Sequence, residues 1–493
     1  MSDNLSPLWT AQEFAHAVAS SVNAEWNATG LSIDTRSLQA GDVFIALTGE
    51  NTDGHDYVQA AFDKGAVAAL VQDDFVAPAT FPATLENNLV RVPDVSISLY
   101  ALATAARKRC KAQVLAVTGS VGKTSVKESL RLGLLPSGKT HASVKSFNNH
   151  IGVPLSLARL PRDYDYAIFE IGMSHAGEIT PLSQLVRPHI AIITQIAEAH
   201  SENFASLGDI ARAKAEIIAG LEANGTLIIP AHAPHVDILE RAAQAANVAH
   251  LVKFSTDTPS SPAAALCDTH LTKMVLHETC SCIAAIINGQ ALTCKIGQVG
   301  AHHVSNALAT LTAIDLCGGD LALASLALSQ SFLDGEGIAG RGQRHILRAG
   351  DGGDYTLIDE SYNANPASMW AALSSLGLMP RLRGGRRIAV LGDMAELGTQ
   401  SPALHKALSM IVEEADIDMV MSCGVLMHHL HQNLPPGRVG VHKDNAMALL
   451  PHLQSEIHSD DVVMVKGSRS ANMDMIVETL SASVAATTQE GRA

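Results

Sequence analysis

The strongest chemical signal in the chain is a lysine set behind a compact glycine turn, Val117-Thr118-Gly119-Ser120-Val121-Gly122-Lys123-Thr124-Ser125. It stands between an apolar, strand-forming run and a helical stretch, the context in which such a turn binds phosphate. Gly119 and Gly122 let the backbone curl until successive N–H groups face one point, and the helix N-terminus adds partial positive charge there. Lys123 would reach the β- and γ-phosphates of a nucleotide, and the Thr124 hydroxyl could ligate Mg²⁺. The usual pattern has a glycine where this chain has Val117, so the turn is a shortened variant.

A nucleotide turn serves kinases, switches, motors and ligases alike, so other residues must name the reaction. Glu170 closes an apolar run, Tyr166 to Ile171. A carboxylate at such a strand end is placed to hold Mg²⁺, and a structural edge glutamate is the plain alternative. His200 follows the next apolar run, where a water-bound loop histidine would serve equally. Lys214 stands in Ala213-Lys214-Ala215-Glu216-Ile217 without an acid three or four residues away. A solvated helix lysine is its ordinary reading. Further along, Asp359-Glu360-Ser361-Tyr362-Asn363-Ala364-Asn365-Pro366 crowds donors and acceptors at one strand end, with Pro366 suited to a first helical turn. Lys466-Gly467-Ser468-Arg469-Ser470 repeats the strand-end pattern, and Arg341 in a glycine-rich hinge could reach a phosphate when domains close.

The elements that must carry these residues alternate. Strands are expected at Asp42 to Leu47 and Ala66 to Val71, with a helix over His55 to Lys64 between them and another from Ser96 to Cys110. The basic residues Arg107, Lys108 and Arg109 suit a helix C-terminus. From Gln113 onwards strands at Gln113 to Thr118, Tyr166 to Ile171, His189 to Ile196 and Thr226 to Ile229 interleave with helices, including one over Ser206 to Leu221. That interval predicts a parallel sheet covered on both faces. A strand-rich stretch follows over 250–298, then a helix at His302 to Leu316. A third block has strands at Tyr355 to Asp359, Arg387 to Leu391, Asp418 to Ser422 and Val462 to Val465. The expected fold class is α/β in three domains: residues 1–110 as a small N-terminal domain, 111–335 as a central P-loop parallel sheet, and 336–493 as a Rossmann-like C-terminal domain. The residues from Ala485 onwards are expected to fray.

At 493 residues, 47% apolar and 17% charged, the chain has ample core material and is not disordered. Its formal charge of -15 opposes nonspecific binding to nucleic acid or an anionic membrane, so a phosphorylated ligand needs a locally positive site. Seven irregularly spaced cysteines make no disulfide framework, and Cys280 and Cys282 no zinc knuckle. No apolar run approaches a membrane span, and a soluble, cytoplasmic protein is expected.

Taken together these segments resemble the Mur ligases along essentially the whole chain. The carriers are the glycine turn, Asn148-Asn149-His150-Ile151-Gly152-Val153-Pro154, Glu170-Ile171-Gly172-Met173, Glu198-Ala199-His200, Ala213 to Ile217 and Gly300-Ala301-His302-His303-Val304-Ser305-Asn306. In the third block Ser361 to Pro366, Leu391-Gly392-Asp393-Met394-Ala395-Glu396-Leu397-Gly398 and Lys466 to Arg469 look like the member that adds D-alanyl-D-alanine to UDP-N-acetylmuramoyl-tripeptide. The resemblance implies an ATP- and Mg²⁺-dependent ligase of peptidoglycan synthesis, with Lys123, Glu170, His200 and Lys214 as its catalytic set; apart from the resemblance, a monomer is expected. It implies ATP at Gly119, Ser120, Val121, Gly122, Lys123, Thr124 and Ser125, with adenine at Asn306, phosphates at Arg341 and ribose at Asp359. Mg²⁺ would sit on Thr124, Glu170, His200 and Lys214, the last as a carbamate. The UDP-sugar would meet Asp34, Thr35, Arg36, Asp53, Gly54, His55, Asn148 and Asn149, and the dipeptide Asn363, Lys466, Ser468 and Arg469. Glu360 and His303 depart from the family's more usual Asp and Asn. A relative adding glutamate or a diamino acid is the near rival, against which the Asn363-Ala364-Asn365-Pro366 segment argues. A nucleotide switch, a transport ATPase or a small-molecule kinase are the distant ones.

Overall fold

The computed structural model describes residues 7–198, 202–257, 267–330 and 339–490, the last eight without their side chains. Its N-terminal part is built on a four-stranded parallel sheet in the order Gly30–Ser32, Asp42–Ile45, Ala68–Gln72, Leu89–Val92. Val43, Ile45, Leu70 and Val90 pack on one face of it; Phe44, Ala69 and Val71 pack on the other. Between the second and third strands the chain makes a 3₁₀ turn, Gly54–Tyr57, and only then a short helix, Val58–Asp63. The single helix expected over His55 to Lys64 is broken because the Asp53 side chain takes the His55 N–H and starts the tighter turn. The helix Val95–Arg109 begins under an Asp94 cap. Of its basic end, Arg107 is buried and serves a different helix: Nε donates to Val186 O and Nη2 to Arg187 O, both at 2.7 Å. The positive charge does sit at a helix C-terminus, but that of Ile179–Val186, and it ties the first sheet's helix to the next domain.

The central sheet has nine strands in the order Gln290–Ile296, Ser281–Ile287, Thr269–Leu276, His250–Ser255, Thr226–Pro230, Ile190–Ile193, Gln113–Thr118, Tyr166–Glu170, Thr140–Ala142. All pairs are parallel except the two that join Thr269–Leu276, Ser281–Ile287 and Gln290–Ile296. Strand Gln113–Thr118 shows why both faces are covered: Val114 and Ala116 enter one core, Leu115 and Val117 the other. After it the chain builds outwards first on one side, through Thr140–Ala142 and Tyr166–Glu170, then on the other through Ile190–Ile193. The glycine turn therefore opens at the point where strand order reverses, where open α/β sheets leave a crevice.

The C-terminal sheet runs Gln343–Arg348, Asp354–Glu360, Val462–Lys466, Arg387–Gly392, Met419–Cys423, Val439–Lys443, with only the first pair antiparallel. Ala389 and Leu391 face one core, Ile388 and Val390 the other. The three-domain α/β architecture is as the alternating pattern required. Two boundaries differ. The expected helix to Leu221 is α only over Leu207–Ala215 and tightens to 3₁₀ over Glu216–Gly220. The closing helix Asp474–Glu490 continues past Ala485, the expected start of fraying.

Candidate active site

The crevice is a cavity of about 1110 Å³ between the central and C-terminal sheets. One wall is the turn Ser120 to Ser125. Gly122 sits at φ 85°, and a side chain at Gly119 would collide with Thr194 Oγ1, so both glycines are needed for the curl. The neighbouring strand end holds the turn: Ser120 N donates to Gln195 O and Ser120 Oγ to Ala197 O, both at 2.8 Å. Lys123 Nζ folds back onto Gly119 O at 2.6 Å. Burial holds its ammonium below the usual lysine range, against the pull of Glu170, and Arg341 adds to the lowering.

Glu170, 1% exposed, accepts from Thr124 Oγ1 at 2.7 Å through Oε2 and from Asn148 Nδ2 at 2.7 Å through Oε1. Ser146 Oγ lies 3.1 Å from Thr124 Oγ1 and accepts from Arg341 Nη2 at 3.3 Å. A hydroxyl, a carboxylate and a second hydroxyl thus meet at the phosphate end of the turn. That oxygen set suits Mg²⁺, which prefers hard oxygen ligands. Lys214 is buried rather than solvated. Burial and then the Lys123 charge push it well below the lysine range, while Glu216 and Glu178 oppose them. His200 lies outside the described residues.

The opposite wall comes from the C-terminal domain. Arg341 stacks on the Tyr362 ring with 4.3 Å to its centre, which aims the guanidinium at Ser146. Lys466 Nζ, 3% exposed at its side chain, donates to Asn363 O at 3.0 Å and pairs with Glu360 at 3.2 Å. Asn365 caps the helix Pro366–Gly377 through a reciprocal bond with Ser368. Asn306 Oδ1 stands against Gly122, and Asn148 and Asn149 line the same cavity. Other expected residues stand apart from it. Asp359 turns its carboxylate to Gly340 N and to Ser361 and does not line the cavity. Asp34 is occupied by Arg36, and Asp53 by His55, whose Nε2 in turn accepts from Gln72 N. Thr35 O accepts from Lys64 Nζ, and Gly54 packs on Leu47. Ser468 is buried beside Ser470, while Arg469 is exposed and 5.9 Å from the Tyr362 ring centre.

Several lining residues were not singled out from the sequence, among them Ser146, Gln195, Tyr100 and Trp370. Ser146 was findable as the hydroxyl two positions before Asn148; Tyr100 and Trp370 carry no pattern beyond their helices. His302 and His303 also line the cavity. Burial, aided by Lys466, holds His302 at about 4, and burial with His302 and Arg344 holds His303 well below its usual value. Both are neutral at pH 7.

Three family models match the chain in succession: "Mur ligase family, catalytic domain" over residues 27–109, "Mur ligase middle domain" over 117–314, and "Mur ligase, glutamate ligase domain" over 343–469. Among curated relatives, the UDP-N-acetylmuramoyl-tripeptide--D-alanyl-D-alanine ligase of Escherichia coli is 34% identical, with 91% of this chain and 93% of the relative aligned. The protein of the same name from Rickettsia prowazekii is 31% identical over 96% and 99%. The crystal structure of MurF from Acinetobacter baumannii superposes with a TM-score of 0.77 at 27% identity, covering 96% of this chain and 98% of the other.

Proposed function

The chain belongs to the Mur ligase family, and from that premise we propose that it joins D-alanyl-D-alanine to UDP-N-acetylmuramoyl-tripeptide at the expense of ATP. It is an ATP-dependent, amide-bond-forming ligase, and its product is the pentapeptide precursor of peptidoglycan. The observation that carries the reading is the facing of two strand-end clusters across one cavity, Lys123, Thr124 and Glu170 against Arg341, Asn363 and Lys466. A phosphate turn alone fits many reactions; a second polar wall that closes over it fits one that joins two bound substrates.

A carboxylate is a poor electrophile, so the tripeptide carboxylate oxygen first attacks the γ-phosphorus of ATP, and ADP leaves. The amine of D-alanyl-D-alanine then attacks the acyl phosphate carbon, and the tetrahedral intermediate expels phosphate. Lys123 and the N–H groups of Ser120 to Ser125 hold the β- and γ-phosphates, and Arg341 adds charge from the far wall. Thr124 and Glu170, with His200 and a carbamylated Lys214, would hold Mg²⁺, which supplies positive charge at the transferring phosphoryl group. Carbamylation needs a neutral amine, and burial of Lys214 favours one. Asn306 is assigned to the adenine and Asp359 to the ribose, which Asp359 would meet only by releasing Gly340 N and Ser361. Asp34, Thr35, Arg36, Asp53, Gly54 and His55, with Asn148 and Asn149, receive the UDP-sugar. Asn363, Lys466, Ser468 and Arg469 receive the dipeptide. Residues 1–110, 111–335 and 336–493 divide these tasks, and closure of the third over the second excludes water from the acyl phosphate. No helix among the described residues is long and apolar enough to cross a membrane. By its membership of the family, the reading is of a cytoplasmic enzyme, acting as a monomer.

The test is phosphate release from ATP with Mg²⁺, adding UDP-N-acetylmuramoyl-tripeptide and D-alanyl-D-alanine separately and together, with the product mass. Release that needs both, with a pentapeptide product, supports the reading; release without the dipeptide, or a preference for another amine, sinks it.

A further inference from the structure

Away from the cavity, at the far edge of the C-terminal sheet, three imidazoles converge. His428 and His431 are three apart on the short helix Met427–His431 and so share one face. His442 comes from the edge strand Val439–Lys443. The ring centres of His428 and His431 each lie 5.2 Å from that of His442 and 6.4 Å from one another. Three imidazoles bound to one tetrahedral ion at about 2.1 Å per nitrogen have ring centres roughly 5 Å apart. The ring centres therefore already stand near the spacing of a three-histidine centre.

The hydrogen bonds around the rings leave nitrogens free. His442 Nδ1 is engaged by Ser422 Oγ at 2.9 Å, which fixes the ring and frees Nε2. His428 Nε2 lies 2.7 Å from the Gln432 side-chain nitrogen; with that amide turned end for end, its oxygen accepts the ring N–H and Nδ1 is left open. His431 Nδ1 is buried and has no hydrogen-bond partner, an arrangement that costs stability unless something occupies the lone pair or takes the proton. Among the described residues no three such side chains are yet turned to a common point, so the rings must rotate to close on an ion.

We propose that His428, His431 and His442 form a binding site for a borderline first-row divalent cation, Zn²⁺ by its liking for imidazole, separate from the Mg²⁺ of the reaction. An imidazole set without carboxylate selects against Mg²⁺ and Ca²⁺. A fourth position is open to water. Because the ligands come from a helix and a strand separated only by the 3₁₀ turn Pro436–Arg438, the ion pins the edge strand Val439–Lys443 to the helix Met427–His431. An unpaired sheet edge is otherwise held only from one side. The role is structural, and the ligase reaction does not pass through it.

The experiment titrates the full-length protein with chelator-buffered Zn²⁺ in excess Mg²⁺, alongside His431→Gln and His442→Gln. The expected result is one Zn²⁺ per chain, an affinity at least tenfold lower in either variant, and a Zn²⁺-dependent rise in thermal midpoint that both variants lack. Co²⁺ in place of Zn²⁺ should give the visible bands of a tetrahedral nitrogen site in the parent only. Ligase turnover with Mg²⁺ and ATP should be the same in all three proteins, and equal midpoints in chelator alone show that the variants fold. Equal Zn²⁺ affinity in parent and variants, or no stoichiometric binding by the parent, overturns the proposal.

Discussion

Two sets of charged residues follow strand ends in this molecule, and they behave differently. In the central domain Thr124 and Glu170 are buried and Lys123 half-buried, bonded to their own loop and to Asn148, and they line a cavity. In the first domain Asp34 and Arg36 satisfy each other in the open: the Arg36 side chain is 88% exposed. Asp53, half in the open, pairs with the largely buried His55 at a loop whose geometry they set. Exposed pairs are worth little because water competes for both partners. The same charges in a low-dielectric cleft act strongly on whatever enters. A charge at a strand end therefore acts most strongly where the fold dries it, and substitutions should hurt the two regions very unequally.

The largest effect is expected at Lys123. Lys123→Ala removes the charge aimed at the transferring phosphoryl group and should lower kcat/KM for ATP by roughly 10²–10³-fold, the scale of one lost preorganised donor. Lys123→Arg should not restore it, since a planar guanidinium does not reproduce the compact charge that Nζ places beside Gly119 O. Steady-state kinetics checks both; a loss below threefold would erase the contrast drawn here. Gly122→Ala comes next. An L-residue at φ 85° costs roughly 1–2 kcal/mol, about a tenfold effect when it falls on binding. The new methyl would also meet Asn306 Oδ1, so the KM for ATP should rise more than kcat falls.

Lys214 tests whether burial alone makes chemistry. Its folded pKa is depressed, so between that value and the ordinary 10.5 the unfolded chain binds the proton that the native chain refuses. Stability from this group therefore rises with pH across that window and is lost as pH falls. Lys214→Met should stabilise the protein at pH 7 by about 1 kcal/mol or more and flatten that slope, read by chemical denaturation at several pH values. If Lys214 carries a carbamate, bicarbonate should add the mass of one carbon dioxide to the parent and nothing to the variant, and Lys214→Ala should lose most of its rate. Full activity in Lys214→Ala excludes the carbamate role.

Much of this contrast was legible beforehand, and what was not has a physical reason. The glycine turn, its strand and the alternation of α and β could be read because each depends on local spacing. Burial of Lys214 could not, because Ala213 and Ala215 beside it are equally at home on a solvated helix; only the docking of Leu207–Ala215 on the central sheet decides it. Arg107 read correctly as a helix-terminal charge but for the wrong helix, since its partners Val186 and Arg187 are some eighty positions away. The Arg341–Tyr362 stack was hidden in the same way: both residues were in view, and only the pairing of Gln343–Arg348 with Asp354–Glu360 brings them together. The second wall of the cavity was thus named in pieces but not as a wall.

The smallest effect is expected at Asp53, and it bears most directly on the first domain. Asparagine there keeps an oxygen for the His55 N–H and so keeps the 3₁₀ turn, while it discards the charge. The carboxylate is held below its usual range by the backbone and side-chain hydrogen bonds of His55, and its side chain is 46% exposed. Solvent therefore screens most of what the charge contributes to stability, and Asp53→Asn should leave the thermal midpoint nearly unchanged. If Asp53 shapes the loop that receives the UDP-sugar, the KM for UDP-N-acetylmuramoyl-tripeptide should rise about two- to threefold, because the imidazole keeps its Oδ1 partner but loses the charge that strengthens the bond. The kcat and the KM for ATP should not move, since neither Asp53 nor His55 lines the cavity. A fall in kcat would mean that the first domain reaches into the reaction after all. A lowered midpoint with every kinetic constant intact would mean that the Asp53–His55 pair holds the fold and nothing more.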